Sequence, residues 1–63
     1  MTKNQQNIFE SVLKECEMDY RKEGMGLYWL GGEHGDFVQT EGFNLKESIH
    51  RLVNTETFKD KLM

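Results

Sequence analysis

Residues 24–36, GMGLYWLGGEHGD, decide how this chain folds. Leu27, Tyr28, Trp29 and Leu30 stand in a row. Read as a strand, their side chains alternate between two faces, so two large apolar groups point each way. One face can rest on helices, and the other needs cover. Either Leu27 and Trp29 face the helices while Tyr28 and Leu30 point away, or the reverse.

Glycine divides the rest. All six glycines lie between Gly24 and Gly42, and there is no proline. The flanks are free of both breakers and suit helices, while the centre suits turns. Phe37 to Thr40 reads as a second strand, making GGEHGD the connection of a hairpin. His34-Gly35 could form a tight turn, and a longer six-residue loop fits equally. The two choices shift the pairing, so the register stays open.

The first flank has two candidate capping boxes, Thr2 with Gln5 and Asn7 with Glu10. Ile8, Phe9, Val12, Leu13, Cys16 and Tyr20 then fall on one arc of roughly 140° at helical spacing. Glu10, Lys14, Glu17 and Arg21 lie opposite, spaced for mutual pairing. Lys22 suits a helix C-terminus and Gly24 its stop. The pattern predicts a helix from about Lys3 to Lys22.

The second flank opens with Asn44 and Glu47, again at capping-box spacing. Leu45, Ile49, Leu52 and Val53 form one stripe, and Glu47 can pair with Arg51. Phe58 and Leu62 break the phase. Either Thr55 or Thr57 caps a new short helix, or Phe58 and Leu62 face something outside the monomer.

Length bounds the answer. Sixty-three residues make one domain, 1–63, of a size that buries only about 60% of its unfolded surface. Cys16 is the only cysteine, which excludes an internal disulfide and a cysteine-rich zinc site. A partner subunit is the available supplement to the core, and a homodimer joining two hairpins into a four-stranded sheet would cover the second face. No apolar run approaches the roughly 20 residues of a membrane span. MTKNQQN lacks the apolar core of a signal peptide. These features predict a cytoplasmic protein. The size and the lysine- and glutamate-rich composition suit a bacterial or phage accessory protein.

The chemistry-bearing residues are few. Glu33, His34 and Asp36 share a glycine-rich loop that ordinarily favours polar residues. His50 lies just outside the apolar stripe. A metal or catalytic role for them is the weaker reading. Cys16 falls within the apolar arc and reads as core. Neither glycine-rich stretch has the spacing of a phosphate loop or dinucleotide fingerprint. No cofactor is expected, and no enzyme. Tyr28, Trp29 and Phe37 could stack bases, but their neighbours Glu33, Asp36 and Glu41 and the net charge of −3 weigh against nucleic acid. An acidic DNA mimic would need Glu10, Glu17, Glu33, Asp36 and Glu41 on one surface, yet Lys14 and Arg21 are interspersed.

The sequence therefore predicts a small α+β domain of order α-β-β-α. Its two-stranded antiparallel hairpin packs on N- and C-terminal helices. The expected function is that of a small non-enzymatic regulator or inhibitor acting by protein–protein contact. Tyr28, Trp29, Leu30, Phe37 and Phe58 are the candidate partner-binding residues; tyrosine and tryptophan in particular combine a large apolar body with a polar tip. A nucleic-acid-binding regulator and a DNA mimic are the alternatives.

Overall fold

The computed structural model describes residues 1–31 and 35–62. The elements are α1 (Lys3–Glu15), β1 (Tyr20–Gly24), β2 (Leu27–Leu30), β3 (Asp36–Gln39), α2 (Leu45–Val53) and α3 (Glu56–Leu62). The fold is α+β, with the expected hairpin between N- and C-terminal helices. A third strand, β1, joins it to give an antiparallel sheet of order β1-β2-β3.

The first helix starts where the sequence places it. The Thr2 side chain accepts from the Gln5 N–H, and the Gln5 side chain accepts from the Thr2 N–H. It ends much sooner than Lys22. Glu17 adopts φ +53. The Met18 N–H then donates to the Leu13 carbonyl, and the Glu17 N–H to that of Lys14, both at 3.0 Å. This is the Schellman arrangement, built without its usual glycine. Met18 and Leu13, the residues that this motif brings near one another, are both buried in the core. Docking Met18 turns the chain back, and Tyr20 to Gly24 become strand rather than helix.

Gly24 thus ends strand β1, paired with Leu27 across the hairpin, and is not a helix stop. Gly26 closes that turn with φ +68, and a Cβ there would stand 2.7 Å from the Glu41 backbone nitrogen. Its carbonyl accepts from the N–H and hydroxyl of buried Thr40 at 2.7 and 2.8 Å.

The second hairpin pairs Leu30 with Asp36, Trp29 with Phe37, Tyr28 with Val38 and Leu27 with Gln39. Residues 31–35 therefore separate the paired ends of β2 and β3, and the choice between a His34-Gly35 turn and a six-residue loop falls on that stretch. Gly32, Glu33 and His34 themselves lie outside the described residues, as does the side chain of Leu62.

The helices pack on one side of the sheet. Phe9 and Leu13 of α1, Met18, Tyr28 and Leu30 of β2, Val38 of β3, Leu52 of α2 and Phe58 of α3 form the core. The break in phase after Val53 is a bend. Thr55 accepts from the Phe58 N–H at 3.2 Å and starts α3 afresh, which rotates Phe58 inward.

Two expectations change here. Tyr28 and Leu30 are fully buried, and Phe58 is 9% exposed, so these three candidates face the core and not a partner. β1 also occupies one edge of β2, so the sheet has three strands where two were expected. The β1 edge itself carries Arg21, Lys22 and Glu23 and an irregular register between Lys22 and Gly24, features that discourage further strand pairing.

Candidate interaction surface

Strand alternation sorts the sheet's side chains. Tyr28, Leu30 and Val38 point into the helical layer. Leu27, Trp29 and Phe37 take the other face, with Arg21 opposite Trp29 in the β1–β2 register. The Phe37 ring meets Trp29 edge-on with centroids 4.6 Å apart. Phe37 is 58% exposed, while Leu27 and Trp29 are half-buried. Arg21 forms an ion pair with Glu23 beside them. Five expected partner-binding residues thus separate by strand parity and helix phase. Trp29 and Phe37 meet on the outer face, and Tyr28, Leu30 and Phe58 do not join them. Sequence reading missed Arg21 because it placed that residue on a helix. The GMG turn between two runs able to form strands was the available signal.

The polar residues of the interior hold elements together. The Tyr28 hydroxyl donates to Glu10 Oε2 at 2.7 Å. Tyr20 reaches Oε1 of the same carboxylate at 3.5 Å. Burial first, and then the Glu10 carboxylate, push the Tyr28 pKa up to about 12. Asp36 Oδ2 accepts from both the N–H and the hydroxyl of Thr57 at 2.9 Å. The Thr57 N–H above all, then its hydroxyl, hold the Asp36 carboxyl below its ordinary value. Two of the five acids proposed for a DNA-like surface, Glu10 and Asp36, are therefore engaged in internal bonds.

Cys16 caps α1 and packs half-buried against the core. Exposed His50 lies beside Asn54, with the Asn54 side-chain nitrogen 3.4 Å from its Nδ1. Among the described residues, no three histidines, cysteines or acids gather at one point. No described helix is long and apolar enough to cross a membrane.

A second surface lies on α2. Phe43, Lys46, Glu47, Ile49, His50, Arg51 and Val53 line an open groove of about 640 Å³. The Arg51 guanidinium sits 4.4 Å above the Phe43 ring centre. Sequence reading assigned Ile49 and Val53 to the core stripe, but Val53 is 37% exposed. Comparison with protein-family models, curated proteins and solved structures gave no match to this chain.

Proposed function

We propose that this chain is a small non-enzymatic module that regulates or inhibits another protein by contact through the outer face of its sheet. The observation that carries this reading is the exposed Phe37 ring, set edge-on against Trp29 on the face away from the helices. An aromatic centre bordered by Arg21, Glu23 and Gln39 has the layout of a protein interface, with apolar anchors inside and a polar rim. The action expected of so small a body is occlusion of a working surface on its partner. The engagement of Glu10 and Asp36 in internal bonds weighs against the acidic DNA-mimic alternative.

One observation favours nucleic acid instead. Arg21, Trp29 and Phe37 lie side by side across three strands, as a cation and two stacking rings would. Glu23 offsets Arg21, and the net charge of −3 opposes a phosphate backbone.

Sedimentation equilibrium of wild type and Phe37→Ser comes first, because a dimer that depends on Phe37 would make a second copy the partner. Affinity capture then compares wild type, Phe37→Ser and Met25→Ser. Met25 is 79% exposed at the tip of the β1–β2 hairpin and serves as the control. The reading expects a protein whose affinity, remeasured with purified components, falls about tenfold or more in Phe37→Ser alone. Equal affinity for all three forms, or capture that nuclease abolishes, would overturn it.

A further inference from the structure

We propose that the groove along α2 binds an acidic, amphipathic peptide segment of a partner protein, at a site separate from the sheet's outer face. Lys46 lies three and four residues before Ile49 and His50, and Val53 four and three after them, which puts all four on one side of the helix. Phe43 and Arg51 extend that surface.

Charge identifies the occupant. The chain has eight Lys and Arg against eleven Asp and Glu, yet Lys46 and Arg51 border the groove with His50 between them. Its one acid, Glu47, is committed to the capping box and accepts from the Asn44 N–H at 3.2 Å. Neither Lys46 nor Arg51 forms an ion pair among the described residues. Arg51 at the end of α2 suits the helix dipole, but Lys46 does not. It lies in the first turn, where the dipole disfavours a cation. A local rule broken without an internal gain points to use by a ligand.

Arg51 is already held in place by its stacking on Phe43. An arginine stacked in this way can still present paired N–H donors to a carboxylate. The apolar side chains decide between acidic ligands. A phosphate backbone gains nothing from Phe43, Ile49 and exposed Val53, whereas an amphipathic peptide sets its apolar anchors on them and its carboxylates on the rim. The groove's volume suits a few side chains.

The test is an NMR titration of the isotope-labelled chain with a short capped peptide carrying leucine at helical spacing and glutamate elsewhere. A lysine-for-glutamate peptide and single-stranded DNA are the comparisons. The expected result is amide shifts centred on Phe43, Ile49, His50 and Val53 with the acidic peptide. Affinity should fall about tenfold in Lys46→Glu and in Val53→Ser. Both positions are exposed, and a glutamate at 46 suits the first turn of a helix, so both variants should keep a folded spectrum. Several results would overturn the proposal: no shifts on α2, equal binding of the lysine peptide, affinity untouched by Val53→Ser, or tighter binding of DNA. Shifts confined to Trp29 and Phe37 would also overturn it while leaving the sheet-face reading standing.

Discussion

The Tyr28 hydroxyl donates to the Glu10 carboxylate across 2.7 Å and ties the middle strand to the first helix. A buried hydroxyl needs such a partner, and a charged acceptor strengthens the bond. Glu10 is only half-buried and can be rehydrated, so Tyr28→Phe should cost about 1 kcal/mol. The pH dependence follows from the Tyr28 pKa, raised from 10.0 to about 12. The folded chain holds this proton more tightly than the unfolded one. The stability it confers is complete below pH 10 and is lost as pH rises through about 12. Urea titrations of wild type and Tyr28→Phe should show stabilities that converge over that range.

Asp36 gives the opposite sign. Its carboxyl is held below the ordinary value of 3.8 by the Thr57 N–H and hydroxyl, which fastens the start of α3 to β3. Its contribution is present above pH 3.8 and is lost as pH falls through the lowered value. Asp36→Ala should cost about 1 kcal/mol at neutral pH, like the loss of a helix cap. The gap between variant and wild type should close in acid, as read by denaturant midpoints.

Glu17 holds a left-handed conformation, φ +53, that side-chain-bearing residues adopt at a cost. Glu17→Gly should stabilise the fold by about 0.5–1 kcal/mol, with part of the relief cancelled by the greater freedom of glycine in the unfolded chain. Glu17→Val should destabilise it. Thermal unfolding followed by circular dichroism separates the two.

Ser48 lies in the interior of α2 with its hydroxyl buried and no hydrogen-bond partner among the described residues. Ser48→Ala removes an unsatisfied polar atom and improves helix propensity, so a gain of about 1 kcal/mol is expected. A loss measured by chemical denaturation would show that the hydroxyl does find a partner.

The two faces of β2 should respond differently to the same change. Tyr28→Ser opens a cavity beside Phe9, whose ring lies 5.4 Å away. It should cost about 3–5 kcal/mol, comparable to the whole stability of a domain this small. Phe37→Ser removes an exposed ring and its edge contact with Trp29, at about 0.5–1.5 kcal/mol. Amide spectra should show the second variant folded and the first largely unfolded.

The sequence by itself determined what depends on neighbours within a few residues. The boxes at Thr2–Gln5 and Asn44–Glu47 start both long helices, and Thr55 supplies the cap at which α3 restarts. The glycine-rich centre made the β2–β3 hairpin. These signals are legible because each donor and acceptor lies within one turn of chain. Tertiary structure decided the rest. Helix α1 stops at Glu15, where Met18 turns into the core, and no local residue type announces that. Both faces of Leu27 to Leu30 offer one aromatic ring and one leucine, so parity alone cannot choose between them. Tyr28 turns inward where Phe9 supplies packing and Glu10 accepts its hydroxyl. That choice leaves Phe37 exposed beside Trp29, and it rests on contacts between residues far apart in the chain.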